Sequence, residues 1–202
     1  MRFSKFISIF FHPINFPIIG ALLYFLFIPK YIYKPQEYLF LGVIFILTYI
    51  FPLVLLLLLK RFKMINSYQM KTIEERKYPT LLFTSISFIL WNWLVKSTRV
   101  DLLSLLFLGY AIAFIISYLF LFFKVKISLH TGAIGGLIGF LIYFSYTFQI
   151  NLIVLISLFF ILSGLIASSR LRLQAHTQSE VFLGFIIGLG SQFLAYFLYF
   201  IT

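Results

Sequence analysis

SRLRLQAHTQSE, residues 169–180, lies between two long apolar runs and sets arginine, histidine and carboxylate at fixed spacing. Charged residues at a membrane boundary usually serve a function. Arg170 can hold an anion, His176 can act as a nucleophile or base, and Glu180, one helical turn beyond His176, can orient the imidazole. This combination indicates phosphoryl chemistry on a lipid.

The chain around this stretch is strongly apolar. Of its 202 residues, 62% are hydrophobic and 10% are charged. Several apolar runs approach the ~20 residues that a helix needs to cross a bilayer. We therefore expect an integral membrane protein, with residues 1–202 forming a single membrane domain.

Apolar runs between charged or proline-rich breaks predict up to seven spans. The first is irregular because Pro13 and Pro17 disrupt it, and residues 2–11 alternatively form an apolar helix in the membrane interface. The runs are continuously apolar and lack the alternation of a barrel strand. The expected fold is all-α, a polytopic bundle of six to seven membrane helices. The predicted spans lie near residues 14–29, 38–59, 79–95, 101–123, 131–147, 150–168 and 178–201.

The net charge of +11 comes from basic residues in short loops between spans. Because these residues do not share one folded face, membrane topology and anionic lipid head groups explain them better than nucleic acid does. The expected partners are membrane lipids, with no nucleic acid. The absence of cysteine excludes disulfides, thiolate nucleophiles and zinc–cysteine sites.

Three polar loops are each separated by two predicted spans and therefore emerge on the same side of the membrane. Their cations and two histidines can converge there. The loops contribute Lys71, Arg76 and Lys77, then Lys126, Ser128 and His130, and finally Arg170, Arg172, His176 and Glu180.

Glycines four residues apart mark the fifth and seventh spans, and such spacing lets helices approach closely in lipid. If these spans cross there, His130 and His176 lie at adjoining helix starts, whose N–H groups favour a phosphate. Packing alone is the alternative explanation of the glycines. They are Gly132 with Gly136, Gly135 with Gly139, and Gly184 with Gly188.

Ser169-Arg170, five residues, His176, three residues and Glu180 resemble the third motif of the type 2 phosphatidic acid phosphatase superfamily. That motif reads S-R, five residues, H, three residues, D, so that only the final Asp differs. The family's second motif, P-S-G-H, is similar to Ile127-Ser128-Leu129-His130, which keeps the serine and the histidine. The match indicates a divergent bacterial member.

The family's first motif, K, six residues, R-P, is similar to Lys71, six residues, Tyr78-Pro79. Tyrosine stands at the arginine position, and Arg76 or Lys77 is close enough to supply the missing cation. A phenol cannot replace a guanidinium as a charge. The order and two-span spacing of the three motifs define a phosphatase-like core at about residues 60–201.

The resemblance implies hydrolysis of a phosphomonoester or diphosphate without a metal or cofactor. His176 would attack phosphorus and form a phosphohistidine, and Glu180 would fix its tautomer. His130 would protonate the leaving oxygen. The expected phosphate-binding residues are Arg170, Lys71 and Ser128 from the motifs, with Arg76 and Lys77 added as neighbouring cations.

Several of these residues also have a structural explanation. Thr177-Gln178-Ser179-Glu180 is a capping box, which explains Glu180 about as well as catalysis does. His130 is either a capping residue or the catalytic acid. The flanking cations Lys124, Lys126 and Arg172 are best explained as side chains that reach toward the head groups.

The basic residues also predict an orientation. With seven spans, 12 of the 16 lysines and arginines lie on the motif side of the membrane and four on the other side. When Lys71, Arg76, Lys77 and Arg170 are set aside as ligands, eight remain on the motif side. The positive-inside rule then places the site on the cytoplasmic face, whereas relatives often work on the external face. We expect residence in a bacterial inner membrane.

The expected activity is therefore hydrolysis of a lipid phosphate such as phosphatidate, phosphatidylglycerol phosphate or an isoprenyl phosphate or diphosphate. The alternative is a catalytically silent relative that binds anionic lipid or serves as a structural membrane protein. Tyr78, Leu129 and Glu180, where the motifs differ from the family, motivate that alternative. A transporter is disfavoured because no inverted repeat or broken-helix pair is visible.

Overall fold

Seven helical segments of the described residues are long and apolar enough to cross a membrane. The structure is a computed structural model that describes residues 2–65, 72–97 and 100–201. Within these ranges it contains helices and no strand, which confirms the all-helical bundle. The segments are Arg2–Phe27, Lys34–Arg61, Ile73–Val95, Asp101–Phe122, Leu129–Phe148, Ile153–Arg172 and Gln178–Phe200.

The first two segments are each interrupted, and the other five are single helices. The first consists of α1 (Arg2–Phe10), a 3₁₀ turn (Pro13–Asn15) and α2 (Phe16–Phe27). The second consists of α3 (Lys34–Phe45), a π turn (Ile46–Ile50) and α4 (Phe51–Arg61). The remaining helices are α5 (Ile73–Val95), α6 (Asp101–Phe122), α7 (Leu129–Phe148), α8 (Ile153–Arg172) and α9 (Gln178–Ile201).

The first segment begins earlier than the sequence predicts, at Arg2 instead of residue 14. Pro17 is accommodated in the first turn of α2, where a backbone N–H has no intrahelical partner to lose. α1 packs against α8 and buries Ser4, Ile7 and Ser8. The N-terminal residues therefore belong to the helical bundle and lie beside a segment that carries the third motif.

α7 and α9 pack against each other through glycines, as the sequence predicts. A Cβ added at Gly135 would lie 2.5 Å from the carbonyl oxygen of Phe185, and one at Gly188 would collide with the backbone of Gly132. Gly136 differs because it faces the ring of Tyr110 on α6. Only glycine permits this approach of the two backbones.

The crossing brings the start of α7 against the start of α9. The backbone N–H of Ser128 donates to the carbonyl oxygen of Glu180 at 3.1 Å. The Thr131 hydroxyl donates to the carbonyl oxygen of Val181 at 2.9 Å. Both predicted histidines therefore lie near adjoining helix starts, His130 in the first turn of α7 and His176 two residues before α9.

Candidate functional site

The turn from α8 into α9 positions His176. Gln174 adopts a left-handed backbone conformation, with φ of 51°, just after α8 ends. Thr177 then caps α9, because its hydroxyl oxygen accepts from the N–H of Glu180 at 3.3 Å while the Glu180 carboxylate accepts from the N–H of Thr177 at 3.0 Å. This capping box fixes the carboxylate one turn beyond the histidine.

His176 is buried, and only 1% of its side chain is exposed. Its Nδ1 lies 3.2 Å from Oε2 of Glu180 and 3.0 Å from the carbonyl oxygen of Lys126. A carbonyl oxygen only accepts hydrogen bonds, so Nδ1 must carry a proton. In the neutral imidazole the lone pair is therefore on Nε2.

Glu180 serves as a cap and as an orienting group at once. Its Oε2 faces both Thr177 and His176, and its Oε1 accepts from the backbone N–H of Lys126 at 3.2 Å. The sequence left these two roles as alternatives, and the geometry combines them. The carboxylate joins the loop before α7 to the loop before α9.

The electrostatic surroundings keep His176 neutral. Burial first, and then the positive charges of Arg76 and Arg170, lower the pKa of the imidazole to about 4. The Glu180 carboxylate opposes this effect without overcoming it. A histidine that is neutral near pH 7 is the form needed for nucleophilic attack.

Arg170 lies in the last turn of α8, and its guanidinium points toward the N-terminal helix. Its Nη1 donates to the hydroxyl oxygen of Ser8 at 2.6 Å. Its Nε is buried and has no hydrogen-bond partner among the described residues, and the guanidinium forms no salt bridge with any described carboxylate. A buried cation in this state is suited to bind an anion.

His130 faces the same N-terminal helix. Its Nε2 lies 3.1 Å from the carbonyl oxygen of Ser8 and 3.4 Å from the Ser8 hydroxyl. The ring of His12 stands nearly perpendicular to the His130 ring, with the centroids 5.4 Å apart. His12 also accepts a long hydrogen bond of 3.4 Å from the N–H of Ile14, at the start of the 3₁₀ turn. Ser8 thus links the histidine of the second motif to the arginine of the third.

Of the two first-motif cations that the structure describes, only Arg76 faces the site. Arg76 on α5 points toward the loop before α7, with Nη1 3.5 Å from the carbonyl oxygen of Ile127, and its charge reaches His176. Lys77 instead forms a salt bridge of 2.8 Å with Glu74. Lys71 lies outside the described residues. Tyr78, at the family's arginine position, is 54% exposed, so that Arg76 is the cation that α5 brings to the site.

Ser128 is fully buried at the N-terminal end of α7. Its hydroxyl makes no hydrogen bond to any described residue, although its backbone N–H donates to Glu180. Buried hydroxyls without partners are uncommon. Nε of Arg170 is the other buried polar atom of these predicted site residues that has no partner among the described residues.

The sequence indicated neither Ser8 nor His12 as part of the site. The only available indication was the number of spans. In a seven-span topology the start of the first span lies on the same side of the membrane as the three motif loops. A serine in an apolar helix matches no motif, and its contact with Arg170 joins residues 162 positions apart. The backbone carbonyl of Lys126 was also missed, since no side-chain pattern encodes it.

The assembled site contains a neutral histidine, two guanidinium groups, a second histidine and a carboxylate. Among the described residues no group of three or more histidine, aspartate or glutamate side chains is arranged to hold a metal ion. Comparison of the chain with protein-family models, with curated proteins and with solved structures gives no match.

Proposed function

We propose that this membrane protein hydrolyses a lipid-linked phosphate, with His176 as the nucleophile. The observation that carries the proposal is the hydrogen bonding of His176. Its Nδ1 is held by Glu180 and the Lys126 carbonyl, which leaves the lone pair on Nε2, and Arg76 and Arg170 act electrostatically on the same ring. A nucleophile oriented by a base and placed beside cations is the arrangement required for phosphoryl transfer.

In the proposed reaction, Nε2 of His176 attacks phosphorus, and the bond between phosphorus and the leaving oxygen breaks. The imidazolium form of His130 donates a proton to that oxygen and becomes neutral, and the oxygen leaves as the alcohol or, from a diphosphate, as the monophosphate. Water then attacks the phosphohistidine and gives a proton back to His130. The nitrogen–phosphorus bond breaks, releasing inorganic phosphate and regenerating neutral His176.

The cations supply the electrostatic part of the catalysis. Arg170 presents a guanidinium without a carboxylate partner among the described residues, and Arg76 replaces the charge that Tyr78 lacks. Negative charge on the transferring phosphoryl group is stabilised by such fixed donors in a site shielded from water. Ser128 and Nε of Arg170 add two donors that are unpaired within the described residues.

The substrates we propose are phosphatidate, phosphatidylglycerol phosphate and isoprenyl phosphates or diphosphates. The helices around the site are long and apolar enough to span a membrane, so a substrate anchored in the bilayer can reach it by lateral diffusion. The rival function is that of a silent relative that only binds anionic lipid. The outward position of Tyr78 favours that rival, because one cation of the family motif is absent from its usual position.

The test is phosphate release by the purified full chain from a panel of these lipids in mixed micelles. We expect His176→Ala to lower the rate by at least about 10³-fold and Arg170→Ala by roughly 10²- to 10³-fold. Arg172→Ala is the matched control, because this exposed arginine lies two residues further along α8 and is expected to leave the rate unchanged. Absence of release from every lipid, or equal release by wild type and His176→Ala, would contradict the enzymatic proposal.

A further inference from the structure

Ser8 of α1 contacts both of the groups that the proposed reaction assigns to the substrate. Its hydroxyl oxygen accepts a hydrogen bond of 2.6 Å from Nη1 of Arg170. Its carbonyl oxygen lies 3.1 Å from Nε2 of His130. The Ser8 hydroxyl thus contacts Arg170 as a non-bridging oxygen of a phosphate ester would. The Ser8 carbonyl contacts His130, the proposed acid, as the leaving oxygen would.

These contacts conflict with catalysis. The Ser8 carbonyl can only accept, so Nε2 of His130 carries the proton and donates it to Ser8. That proton is the one His130 has to give to the leaving oxygen. While Ser8 remains in place, His130 cannot transfer the proton to a substrate. One terminal nitrogen of Arg170 is also hydrogen-bonded to the neutral Ser8 hydroxyl.

α1 is attached in a way that allows it to move. His12 is extended, with φ of −65° and ψ of 142°, and Pro13 follows it, so that the helix is interrupted between α1 and α2. α1 buries Ser4, Ile7 and Ser8 against the bundle, whereas most of its large apolar side chains are exposed. The exposed side chains are Phe3, Phe6, Ile9 and Phe10. Undocking of α1 would therefore uncover few additional large apolar side chains of this helix, because these four are already exposed in the docked position.

We propose, resting on the proposed function, that α1 is an autoinhibitory cover whose Ser8 occupies the phosphate position and is displaced by a phosphomonoester anion. The exchange is favourable because a phosphate anion attracts the guanidinium by its charge and can accept from two of its N–H groups at once, whereas the neutral Ser8 hydroxyl accepts from one. The anion also satisfies Nε of Arg170, which Ser8 leaves without a partner among the described residues.

The first arm of the test measures turnover of phosphatidate by wild type, Ser8→Ala and Ser4→Ala. Ser8→Ala removes the acceptor on Arg170, and we expect kcat/KM to rise roughly tenfold. Ser4 is the matched control because it is 3% exposed and lies on the same buried face one turn earlier. Its alanine variant is expected to keep the wild-type rate. A fall in turnover on Ser8→Ala would show that Ser8 positions the catalytic groups, and would overturn the proposal.

The second arm does not depend on catalysis. The chain has no cysteine, so Ser4→Cys provides a single thiol on the buried face of α1. We expect maleimide to label this thiol at least about threefold faster when the anion displaces α1. Ser117→Cys, on the buried side of α6, is the control for general loosening and is expected to label at an unchanged rate. One probe is inorganic phosphate. The other is phosphatidate in micelles, with phosphatidylcholine micelles as its reference. Comparing the two probes distinguishes an effect of the free anion from an effect of the lipid head group.

The two arms separate this proposal from the proposed function. Faster labelling of the Ser4→Cys variant without any phosphate release supports the cover and contradicts the phosphatase. The opposite outcome combines three results: phosphate release depends on His176, both probes leave the labelling rate unchanged, and the Ser8→Ala variant shows no gain in kcat/KM. These results would support the phosphatase and overturn the cover.

Discussion

The two halves of the site are held in different ways. The half around His176 is fixed by backbone groups and the Glu180 carboxylate, which connect the loops before α7 and α9. The half around Arg170 and His130 is held by Ser8, a single residue of the N-terminal helix. The proposed nucleophile therefore lies at the glycine crossing of α7 and α9, whereas the proposed phosphate-binding and acid groups contact a helix at the edge of the bundle.

This difference assigns separate tasks to the two halves. A nucleophile needs one tautomer and one orientation, and contacts to backbone groups maintain both. A phosphate-binding group has to exchange partners as substrate enters and product leaves, and a neutral hydroxyl is an acceptor that it can release. Substitutions in the first half are accordingly expected to reduce the chemical step, and substitutions at Ser8 to change access.

The largest predicted effect in the fixed half comes from Glu180→Gln. Glutamine keeps the capping box, and the Lys126 carbonyl still fixes the tautomer of His176. The substitution removes the negative charge that would stabilise the positive charge on the ring once Nε2 has attacked phosphorus. We expect kcat to fall roughly 10²- to 10⁴-fold while the midpoint of thermal unfolding stays near that of wild type. Phosphate release and a thermal melt on the same preparation measure both. A loss of stability that accounts for all of the lost activity would assign Glu180 to capping alone.

The next effect concerns the helix crossing that supports the fixed half. Gly188→Ala forces a methyl group against the backbone of Gly132. We expect a loss of about 1–3 kcal/mol in unfolding free energy and a lower thermal midpoint in detergent. Gly190→Ala is the control, because a Cβ there meets no atom of the described residues within 4 Å. Equal midpoints for the two variants would mean that α7 and α9 do not cross at these glycines.

The smallest predicted effect is a shift in pH dependence. In the proposed mechanism the neutral form of His176 is the reactive one. Burial together with the charges of Arg76 and Arg170 lowers the pKa of His176 to about 4. As the pH is lowered, kcat/KM is therefore expected to fall with a midpoint near pH 4 and not near 6.5. This fall is the acid limb of the pH profile. Arg76→Gln removes one positive charge and should move this limb to higher pH.

The neighbouring lysine is the control for this shift. Lys77 forms a salt bridge with Glu74, and its charge is not among those acting on His176. We expect Lys77→Gln to leave the acid limb where it is in wild type. Equal shifts from both variants would indicate a general effect of net charge and would remove Arg76 from the site.

The sequence predicted the features that depend on local patterns. Long apolar runs indicated the membrane helices, and glycines four residues apart indicated which helices cross. The side shared by His130 and His176 followed from counting spans between loops. The first span was placed too late because Pro13 and Pro17 resemble a helix boundary, whereas the structure has helices on both sides of the 3₁₀ turn that Pro13 begins.

Features that depend on helix rotation or on distant contacts were not predictable in the same way. Arg76 and Lys77 are adjacent in sequence, and only the rotation of α5 decides which of them faces His176. The role of Ser8 depends on where α1 docks, which no periodicity specifies. Glu180 was ambiguous because a carboxylate at that position serves a capping box and an imidazole equally well, and here it contacts both.

The proposed mechanism requires that Nε2 of His176 receives the phosphoryl group. The most direct measurement is to incubate the full chain with phosphatidate carrying a labelled phosphate, quench it in base and locate the label by mass spectrometry. We expect phosphohistidine at His176, on Nε2, because Nδ1 is held by Glu180 and the Lys126 carbonyl. Phosphate on another residue or on Nδ1, or continued phosphate release without any phosphorylated protein, would contradict it.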